Sequence, residues 1–246
     1  MTDLPGLPYE AMILILLYGL LFPAMAIAGR RRAEAALAAL APSDLPGFHR
    51  GQAALLAILG APAFLPLATG AASAVDFGLG APAVSLLVLA ALSLVVLHGL
   101  ALVARGAVRR YAAFRRFIRD LVPHQILAIT PKDRSSLRSW TLLSLTAGFG
   151  EEAMFRAALP WALAHLISLE AAMALSALAF AAGHSYQGLR NSVIIFGIGL
   201  LFGALMIATG SLPFVMALHA LYDREIGRLY YTLHLAGSSE SGPDPT

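Results

Sequence analysis

Cysteine is absent from this 246-residue chain, so disulfides, thiolate nucleophiles and cysteine-ligated metals are excluded together. Charge is scarce as well: 13% of the residues are charged, against 59% hydrophobic. Soluble domains carry about 25% charged residues, and so few ionic groups cannot cover a surface that faces water. The same balance excludes a disordered chain, which needs low hydrophobicity and high charge. With a mean hydropathy of +0.75, the bilayer becomes the ruler. A spanning helix takes about 20 apolar residues, and six to eight such helices would use most of the chain. No repeat of fixed period and no glycine-rich phosphate loop is present, and no nucleic-acid partner is expected.

What is present is a series of long apolar runs. Seven candidate spans read as 10–29, 52–69, 81–104, 139–167, 170–184, 191–209 and 211–231. The fourth is too long and carries Glu151, Glu152, Arg156 and Pro160 in its middle, so it is one tilted or broken helix or two short pieces. The expected class is all-α: a polytopic transmembrane helical bundle of about seven spans, with six to eight allowed. The expected organisation is a single integral-membrane domain over 1–235, with a motif-bearing core over 139–231. A basic cytoplasmic loop containing an amphipathic helix spans 105–138, and 236–246 form a disordered tail.

The cations set the orientation. Fourteen of the seventeen Arg and Lys residues fall in alternate inter-span loops, and cytoplasmic loops are the basic ones. The chain therefore reads as N-terminus outside and C-terminus cytoplasmic, if the fourth segment crosses once. Ala26-Ile27-Ala28 has the look of a signal-peptidase site, but Asp3 and Glu10 precede it and three arginines follow. A retained first span is expected. Within 107–122, Ala107, Tyr111, Phe114, Ile118 and Leu121 recur at helical spacing, with five arginines among them. That pattern suits a helix lying on the anionic leaflet, chiefly as a topological anchor. The Arg-rich, Lys-poor, Ala-rich composition suggests a bacterial source.

An ionisable group near mid-membrane costs at least about 2.5–3.5 kcal/mol on insertion scales, so such groups survive where they are paired, hydrated or functional. They concentrate in three places. Glu151 lies about 18 Å along the fourth segment if it starts near Ser139. Glu152 and Arg156, four apart, share a helical face and can pair. That leaves Glu151, about 100° round the helix, without an intrahelical cation. Two adjacent carboxylates repel, which keeps one ready to exchange a proton. Phe180 and His184 close the fifth span, and His219 and Asp223 stand at i,i+4 in the seventh, where the carboxylate can orient the imidazole. Elsewhere, His98 and His165 read as lone packing or cavity histidines, and His49, His124 and His234 as solvated ones. Gly199 and Gly203 form a small-residue face for close helix packing, and Thr209-Gly210-Ser211 a tight turn.

The order EExxxR, FxxxH, HxxxD resembles that of the CPBP family, the CAAX proteases and bacteriocin-processing enzymes also called Abi proteins. It is carried here by Glu151, Glu152 and Arg156, by Phe180 and His184, and by His219 and Asp223. The resemblance implies an intramembrane endopeptidase related to the type II CAAX prenyl endopeptidase, in which the motif Glu and His residues activate water. On that footing Glu151 is the base, and Glu152 is its partner held by Arg156. His184 positions the water, and His219 orients it or polarises the carbonyl. Asp223 stands where the family has Asn or Asp. A metalloprotease variant implies zinc on His184, His219 and Glu151. The implied partners are a membrane-associated protein or peptide substrate and the lipid bilayer. Two rivals from other classes are a proton- or ion-coupled transporter and a non-catalytic scaffold or bacteriocin-immunity protein.

Overall fold

The structure, a computed structural model, describes residues 6–81 and 83–238. Among them there are helices and no strands. α1 (Tyr9–Ala38), α2 (Pro42–Thr69) and α3 (Val84–Arg110) come first, followed by the short α4 (Ala112–Leu121) and α5 (His124–Ile129). α6 covers 134–163 in three consecutive pieces, Arg134–Glu152, a π-helical turn over Ala153–Ala158, and Leu159–Leu163. α7 (Leu169–Gly183), α8 (Leu189–Thr209) and α9 (Leu212–Ser238) complete the bundle. Each expected span finds a helix. α1, α2, α3 and α8 are long and apolar enough to cross a membrane, and α7 is a shorter apolar helix. α6 and α9 have the length but carry the charged residues of the motifs.

The fourth segment is a single helix, and its irregularity has a local cause. Pro160 has no N–H, so the carbonyl of Arg156 loses its α-helical donor and that of Phe155 loses the donor a π turn would give. The backbone widens into the π turn directly after Glu152, and the Ser176 hydroxyl on α7 donates to the Phe155 carbonyl at 2.6 Å. A π turn of this kind is common at functional sites. Pro23 does the same in α1, where Ile15–Leu21 is π-helical. There Tyr18 is buried and donates to the Leu59 carbonyl of α2 at 2.7 Å. At the other end of α6, Asp133 accepts from the Ser136 N–H and closes a reciprocal capping box. Those Ser136 hydrogen bonds, backbone first and hydroxyl second, hold the Asp133 carboxyl below its usual range.

Glycine lets α6 sit in the middle. Gly150 faces α2, where a Cβ would stand 3.1 Å from the Leu56 carbonyl oxygen, and Gly60 of α2 meets Gly150 in turn. On the opposite side a Cβ on Gly148 would fall 2.6 Å from the backbone nitrogen of Ala220 in α9. Two turns earlier the Trp140 ring lies on Gly227 of α9, and its indole N–H donates to the Asp223 carbonyl at 2.8 Å. The small face on α8 behaves as expected: a Cβ on Gly199 would meet that of Ala177 on α7 at 3.0 Å. Gly210 makes the tight turn before α9 with φ +58°. α3 lies outside this core, against α9, with a largely lipid-ready surface.

Three expectations are corrected. The amphipathic stretch is broken by extended backbone at Tyr111, so α4 is its own helix with no fully buried residue. His49 is fully buried rather than solvated: its Nε2 donates to the Ile129 carbonyl at 2.7 Å, and its Nδ1 meets the Ser139 hydroxyl at 2.9 Å. The tail does not begin at 236, because α9 continues to Ser238; 239–246 lie outside the described residues.

The Gly148→Ala variant should lose about 2 kcal/mol by overpacking against α9, read as a lower midpoint of thermal unfolding in detergent. Gly197→Ala, where nothing stands within 4 Å, should keep the wild-type midpoint. Equal midpoints for both variants would contradict the close α6–α9 approach.

Candidate active site

The two carboxylates of α6 face different surroundings because one follows the other around the helix. Glu152 turns inward and is completely buried. One of its oxygens, Oε1, accepts from His219 Nδ1 of α9 at 2.7 Å, which fixes the proton of that imidazole on Nδ1. Its other oxygen, Oε2, lies 3.3 Å from Arg156 Nε. That approach is an ion pair without hydrogen-bond geometry, and Nε and Nη1 of Arg156 have no hydrogen-bond partner among the described residues. Aromatic faces compensate: the guanidinium lies 4.8 Å from the ring centre of Phe180 and 5.9 Å from that of Phe202.

Glu151 turns toward the other edge of the same imidazole. Its Oε2 is 3.6 Å from His219 Nε2, and Asp223 Oδ2 is 3.5 Å from that nitrogen. Neither distance is a hydrogen bond. The cluster is graded in exposure: the Glu152 side chain is 0% exposed, Glu151 13% and Asp223 31%. Glu151 is thus the glutamate that solvent can reach, while Glu152 is walled in. The sequence reading had Asp223 orienting His219; in the structure Glu152 takes Nδ1 and Asp223 approaches Nε2 from the rim.

His184 comes from a third helix. It caps α7, and its Nδ1–H donates to the Phe180 carbonyl at 2.9 Å, leaving Nε2 as the lone-pair nitrogen. It is within electrostatic reach of Glu151, but no hydrogen bond joins the two among the described residues. Phe180 neighbours both imidazoles, its ring centre 4.7 Å from that of His184 and 6.3 Å from that of His219. All seven motif residues therefore converge, with His184 at the edge. The implied zinc set of His184, His219 and Glu151 does not. Among the described residues no group of three His, Asp or Glu side chains is disposed to hold a metal ion. His219 has given Nδ1 to Glu152, and His184 has given Nδ1 to the Phe180 carbonyl.

One cluster escaped the sequence reading. Glu225, buried on α9, is paired with Arg105 of α3, lies 3.2 Å from His98 Nδ1, and meets Arg224 and Arg228 at 3.1 and 3.3 Å. His98 is therefore not a lone packing histidine. Its carboxylate partner is far away in sequence, so the only sequence signal was the presence of Arg105, Arg224 and Arg228 near span ends.

Helices long and apolar enough to cross a bilayer, with a carboxylate–imidazole cluster among their neighbours, mark an integral-membrane protein. Residues 133–224 match the family model Type II CAAX prenyl endopeptidase Rce1-like, and every motif residue falls inside that segment. The motif-bearing part of the chain is thus similar to the type II CAAX prenyl endopeptidases. No curated protein and no solved structure matches the chain.

Replacing Glu152 by Ala should cost about 3–5 kcal/mol, since it leaves Arg156 buried without its counter-charge. The double variant Glu152→Ala/Arg156→Met should recover much of that loss in the same unfolding assay. Single and double variants of equal stability would refute the buried pair.

Proposed function

We propose that the chain is an intramembrane endopeptidase that hydrolyses a peptide bond of a membrane-associated protein or peptide, with a water activated by Glu151. The observation that carries this reading is the division of labour between neighbouring glutamates. Glu152 is buried and spent on His219 and Arg156, whereas Glu151 is accessible to water and has no cation of its own. A general base must reach the proton it takes, and of the two glutamates Glu151 meets that requirement.

In this mechanism Glu151 removes a proton from water as the oxygen attacks the carbonyl carbon. The Nε2 lone pair of His184 accepts the water's other hydrogen and aims the oxygen. The charge that develops on the carbonyl oxygen is met by an N–H donor at Nε2 of His219 in its doubly protonated form, with Nδ1–H anchored on Glu152. The C–N bond then breaks, Glu151 returns its proton to the leaving amine, and a carboxylate and an amine depart. Asp223 and Glu152 are positioning residues that hold the His219 ring between them. We further infer a bacterial cytoplasmic membrane with the N-terminus outside, which puts the basic 105–138 segment and the rim of the site on the cytoplasmic side.

The test compares protein N-termini in membranes of cells expressing wild type or Glu151→Gln at equal levels. New termini produced by the wild type and absent with the variant, whose stability should match wild type, are the expected outcome. Identical sets of termini with any phenotype retained would sink proteolysis in favour of a scaffold. A phenotype lost without any change in termini would indicate transport.

A further inference from the structure

A second polar site lies away from the catalytic cluster, where α4, the turn after α5 and the end of α9 meet. They enclose a cavity of 320 Å³. Its charged lining is cationic, Arg119 from α4 and Lys132 from the turn, with the His234 imidazole and the Tyr230 hydroxyl added by α9. No carboxylate of the described residues lines it. Lys132 is the only lysine of the chain, and it is half-buried. Two of its three N–H donors go to neutral acceptors, the Leu127 carbonyl at 2.7 Å and the Thr130 hydroxyl at 2.9 Å. Neither Lys132 nor Arg119 pairs with a carboxylate among the described residues, whereas the arginines farther up α9 gather on Glu225.

We propose that this cavity binds a phosphate-bearing anion, either the headgroup of an anionic phospholipid or free phosphate. Guanidinium, ammonium and phenol together offer donors in several directions, which suits a tetrahedral anion with many acceptor oxygens. A half-buried ammonium without a counter-charge is costly, and a bound anion removes that cost. The same electropositivity acts on His234: burial first, and then the nearby Lys132 charge, hold its imidazole below the ordinary range. The position fits the ligand too. α4 carries Arg115, Arg116 and Arg119 against a single acid, Asp120, on a helix at the bundle surface, an excess of cations of the kind that collects anionic lipid at a cytoplasmic leaflet.

The purified full-length protein can be assayed in two arms. In the first, it is placed in nanodiscs of phosphatidylcholine with one fifth phosphatidylglycerol, and the lipids retained after extraction are identified by native mass spectrometry. In the second, thermal unfolding of delipidated protein is followed as inorganic phosphate is added. The expected result is retained phosphatidylglycerol at least tenfold above its share of the bilayer, reduced to that share in Arg119→Gln/Lys132→Gln. A glutamine at 132 keeps a donor for Leu127 and Thr130, and His234→Gln, on an exposed helix face, gives a second variant with partial loss. A phosphate-dependent rise in midpoint that the double variant lacks, without lipid enrichment, would assign the site to free phosphate. Wild type that neither enriches phosphatidylglycerol nor responds to phosphate would overturn the proposal whatever the variants do.

Discussion

Glu152 is the residue on which the arrangement of the motif helices depends. It carries a charge at a place with no solvent, so it must be met from within, and the groups that meet it come from two directions. Arg156 arrives along the same helix across the π turn, and His219 arrives from α9. Breaking such a buried set is far more costly than forming it is favourable. Its effect is therefore specificity of arrangement: α9 can dock on α6 only in the register that delivers an imidazole to that carboxylate. Gly148 makes the approach close enough, and the Trp140 indole on the Asp223 carbonyl fixes the register two turns away.

From that anchor the remaining geometry follows. Once Nδ1 of His219 is committed to Glu152, Nε2 is committed to the opposite side, where Glu151 and Asp223 stand. Phe180 lies against Arg156 and beside both imidazoles, so one aromatic ring covers the buried cation and packs against two histidines of the motif. The π turn adds a residue to α6 between the glutamates and the end of the helix, and Ser176 takes up the carbonyl that this insertion frees. The irregular backbone and the site share a cause in Pro160.

Much of this was legible beforehand, for reasons that can be traced. Long apolar runs identify membrane helices because the bilayer demands them, and the i,i+4 spacing of Glu152 and Arg156 transmits a local contact directly. Ionisable residues in apolar surroundings are conspicuous, which is why the seven motif residues stood out. What escaped were contacts between helices distant in sequence. Nothing near His49 announces that Ser139 and the Ile129 carbonyl will enclose it, and Glu225 looks like an ordinary end-of-span acid until Arg105 is folded against it. The hydrogen-bonded partner of His219 was missed for the same reason: Asp223, four residues away, does lie near Nε2, but Glu152, distant in sequence, takes Nδ1. Boundaries were also elusive, since Tyr111 breaks a run whose side-chain periodicity continues across it.

The central position of α6 has a consequence for how the chain is made. It is flanked by α2, synthesised before it, and by α9, synthesised after it. While the ribosome is still producing α7 and α8, the face of α6 that bears Gly148 and Glu152 has no partner in the membrane. The nascent chain then holds an arginine–carboxylate pair open to lipid and lacks the imidazole that meets Glu152. Docking of α9 supplies His219 and buries Glu152 in the same event. The motif cluster is therefore completed only when α9 docks, so formation of the site and closure of the bundle are one step.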